Sequence, residues 1–422
     1  MASSDLPQEL LDNIIDHAQD NREALKAIAL VHRKLLPRCQ KYLFSTVVIS
    51  TIASCLELNT ILLGNPSLQR HIFELDVTCD NSNTLSIHKS SSVLFVLLRK
   101  LPNLQQFTLQ LEQTTPWAAL PDDFRCLVMQ VFKDGKLSTI FIRRLHDIPI
   151  ICFADIIGSH LRSLKLHNIS FDGQGIQVVD VDAASSRLAL EIRNMEIGGR
   201  PDLITAPNSP FSAVDDLTII DNAMRKNVVM QSAFIQAAKR LRSLTWIAHV
   251  RLSQLNHSTP TIATCSSIKN LTALEKFTFT QHLPYDYSFI PSTLKVLKEQ
   301  FRDVCRTYLT AAIEVITKTG FCGKMRQLVF RFIIGLQKDA LFENPDISFI
   351  ASAIAETAPW ENVQEVLLLS SSNAQLELCL VSPLPSNETE RSLLCTQWQS
   401  EWTNTLPGLK NQRKLITRLE NA

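Results

Sequence analysis

One pattern recurs along the chain and restricts its fold more than any other: apolar-x-x-apolar-x-apolar. It occurs at Phe44/Val47/Ile49, Ile72/Leu75/Val77, Leu104/Phe107/Leu109, Leu137/Ile140/Ile142, Leu161/Leu164/Leu166, Val214/Leu217/Ile219, Leu241/Leu244/Trp246, Leu274/Phe277/Phe279, Met325/Leu328/Phe330 and Val363/Val366/Leu368. The last two positions of each triplet alternate with period two, as a half-buried strand requires. Most successive starts lie about 24–38 residues apart, the size of one structural repeat. Two gaps are longer. In the first, Leu188, Leu190 and Ile192 alternate in the same way and supply a further strand. The second holds a long helical pattern, Ser292–Thr319, with Leu294, Leu297, Phe301, Val304, Tyr308, Ile313 and Ile316 along one stripe and Gly320 placed to end it.

Helical spacing also fills shorter gaps: Val93, Leu94, Leu97 and Leu98 in Ser90–Lys100, Leu127, Val128 and Val131 in Asp122–Phe132, and Phe234, Ala237 and Ala238 in Val229–Leu241. Strand, loop, helix, strand is the order of an α/β body with parallel strands. Residues 46–405 are therefore expected to form one irregular solenoid, strands on its concave face and helices on its convex face; an open α/β sheet would show the same alternation. The turn-rich Gly198–Pro210 reads as a surface loop. After a polar break at Ser382–Glu390, Leu393–Trp402 and Leu409–Leu419 read as closing helices, with residues 406–422 as a helical tail.

Ahead of the repeats lies a different pattern. Leu6-Pro7 opens a short helix whose Leu10, Leu11, Ile14 and Ile15 are apolar; Asp20-Asn21 breaks it, and Leu25, Ile28, Leu30 and Val31 mark a second helix. Pro37 ends or restarts the pattern. Three short helices in about 40 residues are close to the lower limit for an independent core, so leftover apolar surface is expected to meet a partner.

At these residues the chain resembles the F-box family, in the form common among fungal F-box proteins with a degenerate leucine-rich-repeat body. The matching residues are Leu6-Pro7, Glu9-Leu10, Ile14-Ile15, Leu25, Leu30-Val31, Pro37-Arg38 and Tyr42-Leu43-Phe44, in order, within residues 5–45. The resemblance implies docking to the Skp adaptor, and through it to a cullin–RING ubiquitin ligase, by Leu6, Pro7, Leu10, Ile14, Ile15, Leu25, Leu30, Val31 and Leu35. It departs from the family where Val-Cys is often followed by Trp: here stand Val31-His32 and Leu35. The leucine-rich-repeat resemblance is looser, since only Asn222 falls three residues after a strand's last apolar position, where regular repeats carry a buried Asn ladder. The implied function is a ligase's substrate-recognition subunit; the alternative is an interaction scaffold without ubiquitin transfer.

The remaining composition narrows the choice further. Lys and Arg number 42 against 41 Asp and Glu, so the basic excess expected of a nucleic-acid binder is missing. The apolar runs near Ile140–Ile157 and Leu328–Leu336 are interrupted by charges and fall short of the roughly 20 residues a membrane span needs. The N-terminus carries no secretory pattern and the ten cysteines are scattered singly, which reads as reduced thiols in the cytoplasm or nucleus. No Gly-rich phosphate loop, HExxH pair or GxSxG elbow is present, and His160, His167, His249 and His257 lack metal-ligand spacing, so no enzyme, cofactor or metal is expected. If the inward strand residues pack on helices, those between them face the concave side. They are Asp76, Thr108, Phe141, Lys165, Thr218, Thr245 and Thr278, continuing to Val329 and Leu367. Threonines and isolated charges of both signs suit a protein substrate better than a phosphate chain.

Overall fold

A computed structural model of the chain describes residues 7–79, 93–94, 96–133, 136–153, 157, 160–172, 187–195, 201–206, 209–222, 228–249, 271, 273–285, 294–318, 324–336, 347–369, 374–382 and 387–421. The chain divides into two compact units, Met1–Gln177 and Val178–Ala422.

The first unit opens with helices Gln8–His17, Arg22–Val31 and Leu36–Leu43. Each start has a local cause. Pro7 precedes the first, the Asn21 side chain accepts the Ala24 N–H at 3.0 Å ahead of the second, and Pro37 sits in the first turn of the third. Strands β1 (Thr46–Ile49), β2 (Glu74–Cys79), β3 (Gln106–Pro116), β4 (Thr139–His146), β5 (Ile148–Pro149), β6 (Ser163–His167) and β7 (Phe171–Asp172) follow. β1, β2, β3, β4 and β6 pair in that order, all parallel, while β5 and β7 form a separate parallel pair. Helix Ile52–Gly64, capped reciprocally by Thr51 and Ser54, and helix Asp122–Lys133 lie between strands in the sequence, as a parallel crossover needs.

In the second unit β8 (Leu188–Arg193), β9 (Val214–Asn222), β10 (Ser243–His249), β11 (Lys276–Tyr285), β12 (Gln327–Leu336), β13 (Gln375–Ser382) and β14 (Leu415–Asn421) each pair with the next in parallel. Helices Val228–Ala237, Leu294–Lys318, Ile347–Thr357, Trp360–Leu369 and Glu388–Thr405 alternate with them in sequence.

The alternating apolar residues set the core. Leu75/Val77, Phe107/Leu109, Ile140/Ile142 and Leu164/Leu166 stand in register and are all buried. Each such side chain contributes about 1.5–3 kcal/mol. In the second unit the register row Trp246, Phe279, Phe330 extends into helices: Tyr308 lies 6.3 Å from Trp246, Trp360 5.1 Å from Phe330, and Trp402 and Trp398 continue edge-on from Trp360. One face of the sheet is thus closed by helices through an unbroken aromatic row.

Two strands end alike: Asn168 (φ 54°) after β6 and Asn194 (φ 50°) after β8 each stand two residues past the inward Leu166 or Ile192 and adopt left-handed backbone, and Arg144 (φ 61°), two past Ile142, does the same within β4. The turn sends the next residue, Leu145, Ile169 or Met195, back into the core.

Four sequence expectations are corrected. Val363/Val366/Leu368 belong to helix Trp360–Leu369, and the strand is β13 instead. Leu409–Leu419 is not one helix: Pro407–Asn411 is helical, Arg413 turns left-handed (φ 56°), and β14 follows, so the tail is not helical throughout. Gly198–Pro210 is more than a surface loop, since helix Pro201–Thr205 buries Leu203 and Ile204, and Pro210 opens a buried 3-10 turn. The polar break at Ser382–Glu390 begins on the last residue of β13 and ends inside helix Glu388–Thr405, which Asn387 caps. The expected Ser90–Lys100 helix is helical at 93–94 and 96–99, and residues 292, 293, 319 and 320 of the long-helix expectation lie outside the described residues.

Candidate partner-binding surfaces

Adjacent apolar residues on a helix lie about 100° apart, so a pair such as Ile14-Ile15 cannot face one way. The N-terminal helices resolve each pair. Ile15, Leu25, Leu35 and Cys39 form a small core, with Leu11, Ala18, Ile28, Ala29, Tyr42 and Leu43 packed around it. Ile15, Leu25 and Leu35 were expected on the adaptor face and are interior instead. Pro7, Leu10, Ile14, Leu30 and Val31 remain outside; Leu30 is 88% and Val31 76% exposed, Ile14 53% and Leu10 50%. Leu6 lies outside the described residues. The helices therefore close their core and still present large aliphatic side chains to solvent, these four and Leu36 of the third helix.

A polar clamp holds the first helix to the third. Arg38 donates to both Asp16 oxygens, Nε to Oδ1 at 2.8 Å and Nη2 to Oδ2 at 2.6 Å, and the Tyr42 hydroxyl donates to Oδ1 at 2.8 Å. These hydrogen bonds, Arg38's first, draw the Asp16 carboxyl down to about 2. The same bonds from Asp16 raise the Arg38 and Tyr42 values. The arrangement fixes the helix pair that carries Ile14.

On the sheets, the residues between the buried ones line up by register. Asp76, Thr108, Phe141 and Lys165 form one row across β2, β3, β4 and β6, and Phe141 meets His167 edge-on at 4.7 Å. In the second unit Glu191, Thr218, Thr245, Thr278, Val329 and Glu377 form the equivalent row. Leu367, expected in that row, is buried on a helix, and Glu377 of β13 takes the place. Thr108 and Val329 are buried rather than open to solvent. Glu377 receives Gln327 Nε2 at 3.0 Å and pairs with Arg418 at 3.1 Å, while Arg331 pairs with Glu420 at 2.6 Å. The two ion pairs tie β14 to β13 and β12.

Sequence reasoning missed one pair on this face. His249 and His282 occupy matching positions on β10 and β11 and stack at 4.1 Å between centroids, 20° apart in plane. Burial, then the charges of His282 and Arg193, pushes His249 down to about 4, and burial lowers His282 as well. The signal was present, since each histidine follows the last apolar residue of its triplet, Trp246 or Phe279, by three positions. Spacing along the chain conceals it, because 33 residues separate the two and only the strand register brings them side by side.

Among the described residues, no group of three or more His, Cys, Asp or Glu is gathered as a metal site would need, and no helix is long and apolar enough to cross a membrane. No protein-family model matches the chain, and no curated protein matches it at a significant level.

Proposed function

We propose that the chain is the substrate-recognition subunit of a Skp–cullin–F-box ubiquitin ligase, its N-terminal helices docking the Skp adaptor and its strand–helix repeats, read as a leucine-rich-repeat-like solenoid, binding a protein substrate. The observation that carries this reading is the aliphatic set Leu10, Ile14, Leu30 and Val31, left exposed after the three helices have closed their own core. Surplus apolar surface on a module this small is a docking surface, because covering each such side chain contributes on the order of 1 kcal/mol or more. The order Leu-Pro, Ile-Ile, Leu-Val along those helices favours the adaptor over other partners.

The test is co-purification of the Skp adaptor with the full chain and with an Ile14→Asp, Leu30→Asp double variant. Both positions are exposed, so the fold should survive, while a carboxylate driven into an apolar interface costs several kcal/mol. Adaptor capture should disappear. Equal capture by the double variant would overturn the reading, and adaptor-dependent ubiquitination of a bound protein separates a ligase subunit from a scaffold.

A further inference from the structure

The face of the first unit's sheet that carries the residues between the core positions is polarised from β2 to β6. Along the row Asp76, Thr108, Phe141, Lys165, one acid stands on β2, one base on β6, and an aromatic ring between them. Neighbouring residues repeat the same sense. Glu74, which accepts the Thr46 hydroxyl at 2.9 Å, lies on the acidic side, and Arg143 stands two positions beyond Phe141 on β4. Asp76 Oδ1 is buried and receives no hydrogen bond, and burial raises the carboxyl's pKa against a bond from Thr78. Asp76 as a whole is only partly buried, and a half-buried carboxylate gains more from an arriving cation than a fully hydrated one.

Spacing turns this polarity into a recognition rule. Adjacent strands stand about 4.8 Å apart, so Asp76 and Lys165 are separated by three strand steps, or about 14 Å. An extended peptide rises about 3.3 Å per residue with alternate side chains on one face, so residues i, i+2 and i+4 cover about 13 Å. A chain laid across the strands therefore sets one side chain over Lys165, the next same-face one near Phe141 and the third over Asp76. We propose that this face binds an extended peptide segment in which an acidic and a basic residue stand four positions apart with an apolar residue midway. The proposal rests on the reading that the repeat body receives a protein substrate, and it names the class of segment received.

The test uses the full chain and short fluorescein-labelled peptides that share a central leucine and differ only in the two flanking charges: acid with base, two acids, or two bases. Measured by fluorescence anisotropy, the wild type should favour the mixed peptide by about five- to tenfold over either like-charged one, with the preference shrinking at high salt. Lys165→Glu should switch the preference to the two-base peptide. Asp76→Asn, a conservative change at a partly buried position, should remove discrimination at the basic end alone. Circular dichroism verifies the fold of each variant. Equal affinity for all three peptides, no binding to any, or an unchanged ranking in Lys165→Glu overturns the proposal. Adaptor capture is read separately on the same samples, so a failed ligase reading and a failed peptide rule give different results.

Discussion

The stacked histidines of the second unit make its stability depend on pH in a calculable way. An ordinary histidine titrates near 6.5, and His249 is held near 4 by burial and by the positive charge of His282 and Arg193. Across that window the unfolded chain binds a proton that the folded unit refuses. Stability is therefore full above 6.5 and lost as pH falls toward 4. For this one group the loss between pH 7 and pH 5 is about 2 kcal/mol. His282 is shifted in the same direction and adds to it. Urea unfolding of the wild type and a His249→Gln variant, followed by circular dichroism at both pH values, isolates the effect from the background titration of carboxylates. The wild type should lose about 2 kcal/mol more than the variant on acidification. The reasoning fails if the two lose equal amounts, or if the wild type gains relative to the variant.

Two further outcomes are expected. Arg38→Ala should let the Asp16 carboxyl rise from about 2 toward its ordinary 3.8, read by NMR titration, because the first-ranking hydrogen bonds on it are removed; in the wild type the clamp's stabilisation is present above that ordinary value and lost as pH falls toward 2. Trp360→Ala should cost about 3–5 kcal/mol in chemical unfolding, since a fully enclosed ring leaves a cavity between Phe330 and Trp402, whereas Trp360→Phe should cost about 1 kcal/mol for the lost bond to the Ile354 carbonyl.

The strands were legible wherever an apolar residue stood three before an alternating pair, because that residue is buried with the pair, as Ile72, Leu104, Leu137, Leu161, Leu241 and Leu274 are. The same rule misled where it was satisfied by chance. Val363, Val366 and Leu368 also fit a helix, and Val363 and Leu367, four apart, are the buried ones. It missed β13 because Asn373 holds the leading position before Leu376/Leu378, and β14 because Gln412 does so before Leu415 and its neighbours. The left-handed turns at Asn168 and Asn194 were illegible for a related reason: the repeat rule places an asparagine three residues after the strand's last apolar residue, and these stand two after it. On the N-terminal helices the apolar set was legible but its division was not. Adjacent pairs occupy two faces, and only packing decides that Ile15 goes inward while Ile14 stays out.

The aromatic row also has a spectroscopic consequence. Of the five tryptophans, four (Trp246, Trp360, Trp398 and Trp402) belong to the second unit and one, Trp117, to the first, and all five are buried. Trp402 lies 5.0 Å from Trp360 and 5.4 Å from Trp398, close enough to exchange excitation. Tryptophan emission from this chain is thus a signal of the second unit's interior with a single separable contribution from the first. Replacing Trp117 by phenylalanine would leave a chain whose tryptophan emission, excited beyond the tyrosine band, watches one unit alone, without any attached dye.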